Sequence, residues 1–91
     1  MAELQTRARE ETPIKEHIGR ILITRDLIEK RPDLVCQIFW QAIPVRAESY
    51  FYNDSIEYLI ISRSLPHMEP GSLPPTYQAV FNGDRFVGFE P

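Results

Sequence analysis

The densest apolar stretch of the chain, residues 33–45 (DLVCQIFWQAIPV), limits the possible folds more than any other feature, and it contains the only tryptophan. As a helix, it places Asp33, Gln37 and Gln41 on one narrow stripe and apolar side chains around the rest of the surface. As a strand, it mixes the two glutamines with apolar residues on one face, although its β-branched and aromatic content also suits a strand. We therefore predict a core helix over 34–43, with a strand as the alternative.

The segment before this stretch has a helix-start signal, because Thr12 is a hydroxyl N-cap residue and Pro13 suits the first helical position. Gly19 interrupts the pattern and costs about 1 kcal/mol relative to alanine in a helix. Residues 18–23 could instead form a strand, with Thr24 capping a shorter helix. We predict the long helix first because apolar residues recur at helical spacing at Ile14, Ile18, Ile21, Leu22 and Ile28.

Prolines mark the limits of the second helix, since Pro32 fits its first residue and Pro44 ends it. The runs 45–52 and 56–63 then flank the turn-forming residues 53–55, which predicts a β-hairpin. An even-numbered loop, Asn53-Asp54, separates charge from the core best. The inner face is then Val45, Ala47, Phe51, Ile56, Tyr58 and Ile60. The outer face is Arg46, Glu48, Tyr50, Tyr52, Glu57, Leu59, Ile61 and Arg63.

A proline-rich connection, 65–75 (LPHMEPGSLPP), should be irregular, and the Asn82-Gly83 turn signal predicts a second hairpin after it. In that hairpin Tyr77, Ala79, Phe81, Phe86 and Gly88 should share one face. The predicted fold class is α+β, with two N-terminal helices packed on a four-stranded, mainly antiparallel sheet made of two hairpins. We expect a flexible tail over 1–11 and a single domain over 12–91.

Composition narrows the function classes. A net charge of -3 disfavours a generic nucleic-acid binder, which would normally carry a basic surface. The single cysteine, Cys36, cannot form an internal disulfide, and we expect it to be a small buried apolar residue. No catalytic motif or metal-ligand spacing occurs, so we expect no enzyme activity, no metal and no cofactor. The sequence has no apolar run long enough to span a membrane, and we expect a cytoplasmic protein.

The outer face of the first hairpin is the candidate interface, because it combines tyrosine, arginine and aliphatic side chains. Its candidate residues are Arg46, Tyr50, Tyr52, Leu59, Ile61 and Arg63. We predict a non-enzymatic protein-interaction module that forms a homodimer or binds a protein partner through this face. The N-terminal segment could instead cover the face. The alternatives are single-stranded nucleic-acid binding by the sheet tyrosines and, less favoured, a small enzyme that uses His67 with Cys36 or Glu57 in a cleft beside the 65–75 loop. The candidate functional residues of that loop are His67, Met68 and Glu69.

Overall fold

The computed structural model describes residues 13–50 and 53–91. The predicted tail over 1–11, the predicted cap Thr12, and Phe51 and Tyr52 lie outside these residues. A short 3₁₀ turn, Ile14–Glu16, begins the described chain. The elements that follow are β1 (Ile18–Thr24), α1 (Arg25–Lys30), α2 (Pro32–Gln41), β2 (Ile43–Tyr50), β3 (Ser55–Ile61), β4 (Thr76–Asn82) and β5 (Arg85–Glu90).

Strand β1 replaces the middle of the first helix that the sequence predicted. Its side chains alternate between two environments, since Ile21 and Ile23 are 0% and 2% exposed whereas Leu22 between them is 48% exposed. This period of two belongs to a strand. The alternative of a strand over 18–23 followed by a shorter helix is the correct one, and Thr24 caps that helix by accepting a hydrogen bond from the backbone N–H of Leu27 at 3.1 Å.

Helix α2 confirms the prediction of a helix in the apolar stretch. It begins at Pro32, whose ring suits the first turn, and ends at Gln41. Ala42 is extended and Ile43 begins β2, so the helix ends two residues before position 43, the last residue of the predicted helix.

Within the described residues, the sheet has five strands in the order β2-β3-β1-β4-β5. Strand β1 is antiparallel to β3 on one side and parallel to β4 on the other. The predicted fold class of two N-terminal helices on a four-stranded, mainly antiparallel sheet is therefore wrong. The sheet is mixed, and it is covered by one full helix and one short helix. The prediction failed because the isoleucines of β1 fit both a helical and an alternating pattern, and only pairing with distant strands decides between them.

Both hairpins are present, with registers that differ from the predicted ones. In the first, Tyr50 pairs with Ser55 and Ala47 with Tyr58, which is a shift of two residues from the predicted partner of Ala47, Ile60. A shift of two keeps the described side chains of β2 and β3 on their predicted faces, except that a bulge removes Val45 from the ladder.

In the second hairpin, a bulge between Val80 and Phe81 lets Phe81 pair with Phe86 and Ala79 pair with Phe89. Phe89 therefore takes the inner position that was predicted for Gly88. A single extra residue in one strand moves everything beyond it to the opposite face.

The core lies between the helices and one face of the sheet, which we call the inner face. Ile38 of α2, completely buried, packs there among the other buried apolar residues, namely Ile21, Ile23, Ala42, Ile60, Leu65, Tyr77 and Phe86. The polar stripe of α2 faces the turn of the second hairpin. The side-chain amide of Gln37 donates to the carbonyl of Asp84 at 2.9 Å and accepts from the backbone N–H of Phe86 at 2.8 Å. These bonds fix the hairpin to the helix.

An ion-pair network reinforces that attachment. The guanidinium of Arg31 contacts Asp33 at 2.8 Å and Asp84 at 2.9 Å. Hydrogen bonding to Arg31 lowers the pKa of Asp33 below its usual value. The bond to Asp33, which has the larger effect, and the bond to Asp84 raise the pKa of Arg31. The network is exposed, so we expect a small contribution to stability.

Candidate functional site

The face of the sheet opposite the helices, which we call the open face, is the main candidate site. Residues that pair across antiparallel strands share a face. Arg20 of β1 pairs with Leu59, and Leu59 pairs with Arg46, so these three side chains lie in one row on the open face. The buried core residues of the same strands, such as Ile21 and Ile60, belong to the inner face.

Four such rows cross β1, β3 and β2. The first is aliphatic and the second contains two arginines. The third contains two glutamates and the fourth is small and polar apart from one tyrosine. In the order β1-β3-β2, the rows are Ile18-Ile61-Ile43, Arg20-Leu59-Arg46, Leu22-Glu57-Glu48 and Thr24-Ser55-Tyr50.

Aliphatic side chains expose a substantial area on this face. Leu22 is 48% exposed and Ile43 is 53% exposed, while Ile18, Leu59 and Ile61 are partly exposed. The outer face of a two-layer domain normally carries polar side chains at such positions. A cluster of partly exposed aliphatic groups bordered by charge is typical of an interaction surface.

The structure brings most of the predicted interface residues together. Arg46, Tyr50, Leu59 and Ile61 all lie on the open face. Tyr50 donates a long hydrogen bond of 3.4 Å to the carboxylate of Glu57 in the neighbouring row. Arg63 lies just beyond the end of β3 and is exposed. Tyr52 is outside the described residues. Whether this surface is an interface stays a prediction.

Strand β2 adds an exposed edge to the open face. It is the terminal strand of the sheet, and seven of its eight residues are exposed, so the helices leave both of its faces uncovered. Val45 is 51% exposed at the bulge. Pro44, the bulge and the charges of Arg46 and Glu48 reduce the tendency of such an edge to pair with other strands.

The second candidate, the loop residues His67, Met68 and Glu69, is held against the start of the described chain. His67 Nε2 lies 2.6 Å from a carboxylate oxygen of Glu16, and the backbone N–H of Met68 donates to the carbonyl of Glu16 at 2.7 Å. The carbonyl of Glu69 accepts from Ser72. The contacts of His67 and Met68 tie the loop to the 3₁₀ turn, and the bond to Glu69 lies within the loop.

Sequence reasoning missed an apolar patch on α2. Trp40 is 85% exposed and Cys36 is exposed, although we expected Cys36 to be buried. Together with Val35 and Phe39, they line a shallow pocket of about 390 Å³. The signal was present in the sequence, because Cys36 and Trp40 lie at the margin of the apolar side, four residues apart.

Within residues 13–50 and 53–91, no three His, Cys, Asp or Glu side chains converge in a way that could hold a metal ion. No helix in the same part of the chain is long and apolar enough to cross a membrane. No protein-family model matches the chain, and the searches of curated proteins and of solved structures return no significant match.

Proposed function

We propose that this protein is a small non-enzymatic interaction module that self-associates through the open face. The observation that carries the proposal is the succession of an arginine row and a glutamate row beside an aliphatic row, on a surface that no helix within residues 13–50 and 53–91 covers. Aliphatic area supplies the free energy of association, and rows of opposite charge select the partner and its orientation.

The β2 ends of the two charged rows are complementary to a second copy of themselves, whereas Arg20 and Leu59 would lie over Leu22 and Glu57. Homodimers are usually related by a two-fold axis, so each contact occurs twice. An axis that runs along the rows, midway between the arginine and glutamate rows, reverses the strand direction of the second copy. Arg46 of each copy then lies over Glu48 of the other. Adjacent rows are about 7 Å apart, because residues i and i+2 of a strand are separated by that distance.

The same axis places the aliphatic row over the row that contains Tyr50. Ile18, Ile61 and Ile43 of one copy would then pack against Thr24, Ser55 and Tyr50 of the other, which offer small side chains and one aromatic ring. Stacked sheets align within about 30° of each other, so the rows stay opposed over the width of three strands.

The nucleic-acid alternative has less support. Of the four tyrosines in the sequence, Tyr77 is buried in the core and Tyr58 packs edge-to-face on Phe39 of α2. Both therefore face the helices, and among the described residues Tyr50 alone could stack a base from the open face. Sheet-based binders use two or three aromatic platforms.

Charge exchange at Arg46 and Glu48 tests the proposal, with solution mass measured by light scattering over a range of concentrations. Arg46→Glu and Glu48→Arg should each weaken the dimer by at least about tenfold, because like charges then oppose each other across the interface. The double variant, Arg46→Glu with Glu48→Arg, should restore it, since the exchanged rows are again complementary. Glu29→Arg, an exposed change of the same charge on α1, is the control and should leave the mass unchanged.

A monomeric wild-type protein at every concentration would overturn the proposal. So would a dimer that neither single variant weakens. If the single variants dissociate and the double variant does not recover, the face is an interface but the row-on-row arrangement is wrong.

A further inference from the structure

The seam between β1 and β4 opens into a cleft. Among the described residues these strands are in register at only two pairs, Arg20 with Thr76 and Ile21 with Tyr77. At the start of the seam, Arg20 is held to the two residues that precede β4. Its backbone N–H donates to the carbonyl of Pro75 at 2.8 Å, and its Nε donates to the carbonyl of Pro74 at 3.0 Å. Further along, the strands separate around a cavity of about 430 Å³.

The lining of this cleft is apolar with a few neutral polar groups, and none of the described residues contributes a charged side chain to it. The two strands form its walls, and Leu27 of α1 and Ile38 of α2 also line it. The wall residues are Leu22, Ile23, Thr24, Thr76, Tyr77, Gln78, Ala79 and Phe81. A charged group buried here would lose hydration without gaining a charged partner, so the complementary ligand is uncharged.

The walls are also strand edges. Backbone groups of alternate residues point to the same side of a strand. Arg25 donates its backbone N–H to Asp54, on the β3 side, whereas Arg20 donates towards β4. Leu22 and Thr24 follow Arg20 at intervals of two, so their backbone groups point to the β4 side of β1. The carbonyl of Leu22 and the N–H of Thr24 therefore point towards the cleft.

The same argument applies to β4. Thr76 is the partner of Arg20 in the parallel ladder, and in such a ladder Arg20 bonds to the residues on either side of Thr76. The backbone groups of Pro75 and Tyr77 therefore point towards β1. Ala79 is the next residue of β4 with this orientation, and it lies beyond the last registered pair. The cleft thus has backbone donors and acceptors on both walls that no strand engages within the described part of the chain.

We propose that this cleft binds a short, uncharged, extended segment of another polypeptide as an additional strand between β1 and β4. An extended backbone satisfies edge groups on two sides at once, and its alternate side chains reach the apolar surface formed by Leu27 and Ile38. The edge of β2 is a poorer acceptor because it offers one side only and carries Pro44, a bulge and charges. The inference does not require self-association, although Leu22 and Thr24 belong both to the cleft and to the open face.

The test uses the full chain and a defined probe, the N-acetylated, C-amidated pentapeptide Ser-Val-Thr-Val-Ser. Amide hydrogen exchange, followed residue by residue by NMR, should slow by about tenfold at Thr24 and Ala79 when the peptide is present. The same peptide N-methylated at both valines keeps its apolar side chains but loses two backbone donors, and it should protect neither residue. Amides of β2 should be unaffected by either peptide.

A cleft-filling variant provides a second test. Ala79→Phe places a ring in the cleft and should abolish the protection of Thr24. Ala47→Phe, the matched change at an exposed position on the inner face of β2, should leave it intact. The inference is overturned if the peptide protects neither residue, if both peptides protect equally, which would indicate a purely apolar pocket, or if protection appears only on β2. The peptide comparison decides the question even if the Ala79→Phe protein does not fold.

Discussion

A methyl group added at Gly19 should break the packing that holds β4 against β1. Gly19 lies on the inner face of β1, and a Cβ atom there would come within 2.6 Å of two ring carbons of Tyr77 and 3.3 Å of Leu65 Cδ1. Carbon atoms pack at about 3.5–4.0 Å. Tyr77 and Leu65 are only 7% and 2% exposed, so neither can move into solvent. Gly19→Ala must therefore displace a buried ring.

The expected cost follows from two opposing effects. Overpacking a core by one methyl group typically costs about 1–3 kcal/mol. Alanine also restricts the unfolded chain, which stabilises the folded state by about 0.4–1 kcal/mol where the backbone conformation suits it. We expect a net loss of about 1–2 kcal/mol, against a total stability on the order of 5–14 kcal/mol for a domain of this length.

A double-mutant cycle with Tyr77→Ala separates the clash from other causes. Without the ring, the methyl group at position 19 gains space, and Gly19→Ala should become neutral or stabilising by about 0.5 kcal/mol. The coupling between the two changes should then be about 2 kcal/mol. Urea unfolding followed by far-ultraviolet circular dichroism measures all four proteins. An equal loss in both backgrounds would refute the packing argument, as would an undiminished stability of Gly19→Ala in the wild-type background.

Three further predictions concern the helix layer. Ile38→Ala should lower the free energy of unfolding by about 2–5 kcal/mol, whereas Leu73→Ala, at a position that is 87% exposed, should change it by less than about 0.5 kcal/mol in the same urea assay. Gln37→Leu removes the two hydrogen bonds to the turn of the second hairpin and should cost about 1–3 kcal/mol, with faster amide exchange in that hairpin. Arg31 lowers the pKa of Asp33 in the folded protein, so this carboxylate stabilises the fold above about pH 4 and stops doing so as the pH falls through its folded pKa. Asp33→Asn should therefore melt at a lower temperature than the wild type near neutral pH, and the two melting temperatures should converge under acidic conditions.

Local signals in the sequence were enough to predict α2 and both hairpins. Pro32 begins the helix because its fixed backbone angle suits the first turn. Asn82-Gly83 lies at the turn of the second hairpin, where Gly83 adopts a positive φ of 62° that favours glycine. Such signals depend on one or two neighbouring residues, so they can be recognised without knowledge of the tertiary structure.

The central strand could not be assigned in this way. The isoleucines at 18, 21 and 23 fit a helix almost as well as a strand, and the strand partners of β1 lie more than 30 residues away in the chain. Placing β1 in the middle of the sheet also converts an antiparallel arrangement into a mixed one. One ambiguous segment of seven residues therefore changed the fold class.

This error did not change which residues of β2 and β3 share the open face, because that depends only on the alternation of side chains along each strand. The observed register of the first hairpin differs from the predicted one by two residues, and side chains alternate with a period of two, so Arg46, Tyr50 and Leu59 keep their common face. The central strand then extends the face with Arg20 and Leu22 and completes the charged rows.

The cleft, in contrast, could not be derived from the alternation of side chains. It exists only because β4 joins β1 at two residue pairs and then diverges, and no pattern within either strand indicates where such a pairing ends. The turn of the second hairpin is bonded to Gln37 of the helix layer, a contact that likewise joins residues far apart in the chain. The surface that can be derived from alternation is therefore the one formed within a hairpin, and the surface that needs the structure is the one formed where β4 meets β1.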